Sequence, residues 1–198
     1  MKAWHFVGKT LRDGSPVPPD GEKLIFTDEP ILCEQGYHAS DLPWDALRYA
    51  PGNILCRVEC GGKIIKGSDK LVCTERTIIR RIDATKMLQY FARMKAVEDI
   101  HLYPNDNDDV VFDFLMTGEN ANAAYTAAYT AKVTHATQAA TYAAKATYAA
   151  TYATAYTTYA ANSAAYATAY AAATYDAGYA ACAAYANEFN QLVFECFD

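Results

Sequence analysis

A chain of 198 residues is long enough to bury a sizeable core, as one ordinary domain with an appendage or as two small domains. Its formal net charge of −6 argues against general nucleic-acid binding, which needs clustered Lys and Arg against phosphates. Six cysteines are too sparse for a disulfide scaffold and form no Cys-x-x-Cys pair, so a reduced compartment is expected, and no basic stretch followed by an apolar one suggests a secretory signal.

In chain order, "KAWHFVGKTL" reads as an opening strand, and "RDGSPVPPDGE" as a loop in which three prolines and two glycines forbid regular structure. "KLIFTDEPILCEQGYHAS" predicts a short strand, a turn at Asp28 to Pro30, and an extended run ending at Gly36 to Ser40. "SDLPWDALRYA" carries a helix start, with Ser40 or Asp41 as cap, Pro43 in the first turn, and Trp44 and Leu47 on one apolar face. "NILCRVECGG" alternates Ile54, Cys56, Val58 and Cys60 against Leu55, Arg57 and Glu59, which is the period of a strand. Gly61-Gly62 then predicts a turn into "KIIKG", and "KLVCTERTIIRRIDA" one or two further strands. "ATKMLQYFARMKAVEDIHLY" places Leu88, Phe91, Met94 and Ala96 or Val97 at helical spacing. "YPNDNDD" favours a turn through its Asn and Asp side chains, and "VVFDFLMTG" a short apolar helix stopping near Gly118. These elements make an α+β domain with one dominant, mainly antiparallel sheet rather than an alternating βαβ wrap.

Composition then changes abruptly. Residues 1–118 carry 15 of the 17 Lys and Arg and 18 of the 23 Asp and Glu, whereas from Glu119 to Asn187 the only charged side chains are Glu119, Lys132, Lys145 and Asp176. The expected organisation is therefore a ligand-binding α+β domain over 1–118 and an Ala-, Tyr- and Thr-rich helical assembly tail over 119–198. Ala is the best helix former and Thr and Tyr are tolerated, so an unbroken helix here would run on the order of 100 Å. Tyr148, Tyr152, Tyr156, Tyr159, Tyr166 and Tyr170 fall within an arc of roughly 80°, with Tyr175 and Tyr179 almost opposite, so the helix either breaks near Asn162-Ser163 or Asp176 to Gly178, or uses both faces. Thr and Tyr interrupt every window long enough to cross a membrane, and the irregular Thr spacing does not suit an ice-binding face. A nearly charge-free helix needs packing to stay in solution, which predicts helix–helix association as a homo-oligomer. The closing "EFNQLVFECFD" supplies an apolar plug of Phe189, Leu192, Val193, Phe194 and Phe197, expected to dock on the first half or on a neighbouring subunit.

"MKAWHFVG", "LCEQGYHASDLPWDALRYAPG" and "LCRVECGGKII…DKLVCTERTIIRRIDAT" together resemble an uncharacterised family of bacteriophage and prophage proteins, in which such a domain precedes a variable, often Ala-rich tail. That resemblance implies a viral origin and action in the cytoplasm of an infected bacterium. A second likeness is to a degenerate ADP-ribosyltransferase-like fold: His5 in "WHFVG" for the first strand, "GYHASDLPWDALRYA" for the second strand and its helix, and Glu75 in "CTERTII" in the place of the catalytic carboxylate. The pocket this likeness implies would take an ADP-ribose-like molecule.

The candidate ligand-binding residues are His5, Tyr37, His38, Ser40, Trp44, Tyr49, Arg76 and Arg80. Lys66, Lys70, Arg76 and Arg80 form the densest basic run of an acidic protein, as an anionic ligand requires, although a lysine-protected strand edge is the commoner explanation of such a run. Arg80 and Arg81 point to opposite faces of a strand, so at most one can face a given pocket. Trp44 and Tyr49 can stack on a base or fill a core. Cys56, Cys60 and His38 could surround zinc, but buried apolar cysteine is the commoner explanation, so no metal and no cofactor is expected. No phosphate loop, nucleophile elbow or metal-binding helix motif occurs. The leading expectation is an oligomeric phage protein that binds and sequesters a nucleotide-derived host immune signal, an anti-defence sponge and not an enzyme, with neither nucleic acid nor membrane as partner. A structural protein whose helices assemble or bind a host protein is the alternative, and ADP-ribosyl transfer the third reading.

Overall fold

The computed structural model describes residues 1–98, 108–124 and 177–198. Its elements are β1 (Lys2–Val7), β2 (Lys23–Ile25), β3 (Tyr37–Ala39), α1 (Pro43–Leu47), β4 (Ile54–Lys66), β5 (Leu71–Asp83), α2 (Thr85–Glu98), α3 (Asp108–Thr117) and α4 (Ala177–Phe197). They form two compact units, residues 1–84 with 193–198, and residues 85–192; the compositional border after Gly118 falls inside the second. The chain is α+β with an antiparallel N-terminal sheet.

The spine of the first unit is the hairpin of β4 and β5, each 13 residues long. Cys56, Val58 and Cys60, spaced by two, are buried on one face together with Leu71, Cys73 and Ile78 from β5 and Ala3 and Val7 from β1. β1 pairs antiparallel with β4, setting His5 opposite Cys56, while β2 and β3 pair with successive stretches of β5. The sheet then curls on itself. Trp4 and Ser40 exchange two backbone hydrogen bonds of 2.8 Å, so the residue after β3 meets the open edge of β1. The ring β1-β4-β5-β3-β1 is thereby closed around the cysteine-lined interior, which leaves β1 no bare edge at that point.

Two local expectations are corrected by this closure. Gly61-Gly62 do not turn the chain: β4 runs through them to Lys66, and the pair forms a bulge where the register shifts between Gly61 and Ile64. Gly62 has φ +66, and a Cβ there would lie 2.1 Å from Thr74 Oγ1, so the bulge needs the glycine that the sequence reading assigns to a turn. The reversal instead falls at Gly67 to Lys70, closed by a 2.7 Å backbone bond. β5 is one strand rather than two. Neither Ser40 nor Asp41 caps α1; Leu42 is the N-cap with no side-chain bond, because Ser40 is held in the bridge to Trp4 and Asp41 pairs with Lys66. Pro43 does occupy the first turn.

The outward face of β1 is covered by the chain's own end. Trp4, 2% exposed, packs its ring at 4.9 Å edge-on to Phe197 and at 5.8 Å to Phe194, with the Arg57 guanidinium 4.2 Å from its centroid. Arg80 donates to the carbonyls of Phe197 and Cys196 at 2.9 and 3.2 Å, meeting the unsatisfied acceptors at the end of α4. Part of the expected plug, Val193 to Phe197, therefore docks on the first-half sheet.

In the second unit, Leu88 and Phe91 of α2 and Val111, Phe114 and Leu115 of α3 are buried, and Phe91 meets Phe189 edge-on at 5.2 Å. Gly118, at φ +80, ends α3 with a 2.7 Å bond from its N–H to the Phe114 carbonyl. Gly178 lies inside α4. The turn at Tyr103 to Asp109 lies mostly, and the tyrosine stripe from Tyr148 to Tyr170 wholly, outside the described residues. Among the described residues no helix is long and apolar enough to cross a membrane.

Gly36, at φ +101, leads into β3, and a Cβ there would lie 2.7 Å from Val72 Cγ2. Gly36→Ala is expected to destabilise the protein by more than about 1 kcal/mol, since Ala disfavours positive φ and here also clashes. Chemical denaturation checks this, and an unchanged midpoint would contradict it.

Candidate functional site

At one end of the closed sheet lies a cavity of about 870 Å³, within the range of small-molecule sites. Its walls come from β1, the loop after it (Gly8 to Asp13), the segment Cys33 to Ser40 and α1. Arg12 ties the two loops together by donating to the Cys33 carbonyl at 3.2 Å. Cys33 itself takes φ +72, and its N–H donates to His38 Nε2 at 2.9 Å, which fixes the imidazole on the wall.

Of the eight candidate residues, His5, Tyr37, His38, Ser40, Tyr49 and Arg76 line this cavity, and Trp44 and Arg80 do not. Arg80 is on the opposite face of β5 from Arg76, occupied with the end of α4. Arg81 is turned the other way from Arg80 and pairs with Asp20. Within the basic run, Lys66 is paired with Asp41, and Lys70 lies over the Tyr49 ring at 4.2 Å, so only Arg76 and Lys70 of the four reach the cavity. Tyr49 is fixed at the rim by its hydroxyl bond to Asp69 at 2.6 Å. Glu75, the carboxylate suggested by the transferase likeness, lies one residue from Arg76 on the other face of β5, pairs with Lys23 at 2.9 Å, and does not line the cavity.

Arg76 is the chemical centre of the site. It is 4% exposed, its Nη1 donates to the His38 carbonyl at 2.8 Å, its guanidinium carbon lies 5.2 Å from the centroid of the Tyr37 ring, and its buried Nε has no hydrogen-bond partner among the described residues. No carboxylate pairs with it among the described residues. Burial lowers its pKa, yet a guanidinium stays charged at any physiological pH. A buried cation with one neutral hydrogen bond is costly, and the cost falls when an anion enters.

The neighbours do not neutralise it. Burial pushes the Cys56 thiol up to about 11, and a hydrogen bond to Cys73, followed by burial, pushes Cys60 up as well. Cys73 is the one interior group drawn toward its anionic form, first by the Cys60 thiol and also by the Arg76 charge, but its own thiol donates to the Tyr37 carbonyl at 3.3 Å, which retains the proton. His5 is held well below its usual range, chiefly by burial and then by the charge of Arg76. Neither ring nitrogen of His5 has a hydrogen-bond partner among the described residues. His38 is also lowered, first by burial. At the mouth Lys9, Arg12 and Lys70 face Asp13 and Glu34, so with Arg76 the lining holds four cations against two anions. Asp13 is already engaged with Ser15.

The two loops of the wall, residues 8 to 13 and 33 to 35, are absent from the eight candidates, because no periodicity in the sequence marks them. Among the described residues no group of His, Cys, Asp and Glu is arranged to hold a metal ion.

Residues 1–90, which include the whole sheet and its cavity, match a family described as "Domain of unknown function (DUF7666)". No curated protein and no solved structure matches the chain.

Two outcomes follow. Replacing Arg76 by Met removes an uncompensated buried charge, so in a buffer poor in multivalent anions Arg76→Met is expected to unfold at or above the wild-type midpoint; a loss of more than about 2 kcal/mol would make Arg76 a structural residue instead. For His5, the unfolded chain takes up its proton near 6.5 and the folded chain only at lower pH. Below 6.5 the unfolded state therefore holds more protons, so stability is complete above that value and falls as pH drops through it. Melting profiles between pH 8 and 5 should show this decline in wild type and a smaller one in His5→Gln.

Proposed function

We propose that the closed-sheet unit is a receptor for a small nucleotide-derived anion of ADP-ribose type, which the protein binds and holds rather than converts. The observation that carries this reading is Arg76, a buried guanidinium that faces a ligand-sized cavity without any carboxylate partner. The aromatic groups around it, Tyr37, Tyr49 and the two histidines, offer faces for a base or ribose, and the cationic excess of the lining favours phosphate. Sequestration is favoured over transfer because a transferase needs a carboxylate at the reacting centre. Glu75 lies outside the cavity, and the acids that do line it, Asp13 and Glu34, belong to the loops of its mouth.

In its fuller form the proposal is of a phage anti-defence protein, active in the bacterial cytoplasm, that removes a nucleotide immune signal through many sites on a homo-oligomer built by the Ala-rich tail. The resemblance of the first hundred residues to phage and prophage proteins supports the setting, and the nearly charge-free composition of the tail supports assembly.

The test is to incubate the purified full-length protein with ADP-ribose, separate the complex and denature it. Recovery of intact ADP-ribose in proportion to protein is expected. Recovery of an altered product would make the protein an enzyme, and absence of binding would favour a structural protein. Tyr37→Ala and His5→Ala are each expected to weaken binding by at least about tenfold, or roughly 1.4 kcal/mol; unchanged affinity would remove the ligand from this cavity.

A further inference from the structure

Beside Arg76 the lining holds His5, a half-buried side chain with no hydrogen-bond partner among the described residues. His5 is set by the β1–β4 register directly opposite Cys56, on the interior face that also carries Arg76. Its imidazole lines the cavity with no hydrogen-bond partner on either nitrogen among the described residues, so it is free to respond to whatever enters. The groups that face it are Arg76 from β5, Cys56 from β4 and His38 from β3, with Arg12 and Asp13 from the following loop and Lys70 at the start of β5.

We propose that seating an anion on the free edge of Arg76 is coupled to uptake of one proton from solvent by His5, so that the occupied site is an imidazolium and a guanidinium flanking the ligand's phosphates. This deepens the anion-receptor reading above and rests on it. In the empty cavity burial disfavours a charged imidazole, and the guanidinium of Arg76 repels a second cation. A bound phosphate cancels the repulsion and supplies an acceptor for an imidazolium N–H, which reverses the balance. The proton goes to His5 and not to His38, because His38 Nε2 already accepts the Cys33 N–H at 2.9 Å and would have to give up that bond to gain one. Cys56 cannot compete, since burial holds its thiol protonated throughout.

ADP-ribose is the suitable probe, because it has no group of its own that titrates near neutrality. Calorimetric titrations of the full-length protein in buffers of different ionisation enthalpy are expected to give, near pH 7, a binding enthalpy that varies with the buffer in the sense of proton uptake. Affinity should rise on acidification by up to about tenfold per pH unit, the limit for one linked proton. His5→Gln, which keeps a hydrogen-bond donor, should bind more weakly with no buffer dependence, whereas His38→Gln should retain it. Binding by wild type with the same enthalpy in every buffer, or undiminished proton uptake in His5→Gln, would overturn the proposal while leaving the receptor reading intact. Failure of ADP-ribose to bind at all would overturn both.

Discussion

The pair of backbone hydrogen bonds between Trp4 and Ser40 turns a sheet into a container. Without them β1 and β3 would be two edges of a curled sheet, and the face carrying Cys56, Cys60, Cys73 and Arg76 would be open to water. With them that face becomes an interior. Burial then sets much of the local chemistry: it raises the Cys56 thiol, lowers His5 and strips the Arg76 guanidinium of solvation. The bridge also explains why Ser40, well suited to cap a helix, does not, since its backbone is committed to β1 and α1 starts three residues later on Pro43.

Closure makes the position of Arg76 informative. A buried cation in a structural role is ordinarily matched by a carboxylate, because the attraction must offset the loss of hydration. Here, among the described residues, the only hydrogen-bond partner of the guanidinium is the His38 carbonyl, while Glu75, one residue away, is spent on Lys23 at the surface. Alternation along β5 separates the two: the strand sends its arginine inward and its acid outward. Exchanging those roles would have put a carboxylate in the interior in place of the guanidinium. The arrangement present leaves a positive charge in the interior that no carboxylate matches among the described residues.

Much of this was legible in the sequence. The alternation in "NILCRVECGG" located β4 and the interior cysteines, Pro43 marked the start of α1, helical spacing marked α2, and the apolar run stopping near Gly118 marked α3. The choice between Arg76 and Arg80 was not legible, although both belong to one strand. They are four residues apart, which on a regular strand puts them on the same face, but β5 has an irregularity opposite Arg57 and Val58 that leaves Ile79 unpaired and sends Arg80 to the other side. A bulge has no compositional marker unless it needs a glycine, and the glycine pair that was visible, Gly61-Gly62, reads equally as a turn. Trp44 failed to reach the cavity for a related reason. Helical spacing pairs it with the apolar side of α1, but it does not say which side of that short helix meets the opening.

The same alternation connects the two ends of the chain to the two faces of the sheet. Trp4 and His5 are neighbours on β1, so one must face outward when the other faces inward. Trp4 is covered by Phe194 and Phe197, and Arg80 and Arg57 hold that contact from the adjoining strands. The last turn of the tail thus bears on the strand whose opposite face lines the cavity. Val193 to Phe197, the part of the apolar plug that docks on the sheet, therefore support the outward face of the strand that carries His5, whereas Phe189 packs on Phe91 in the second unit.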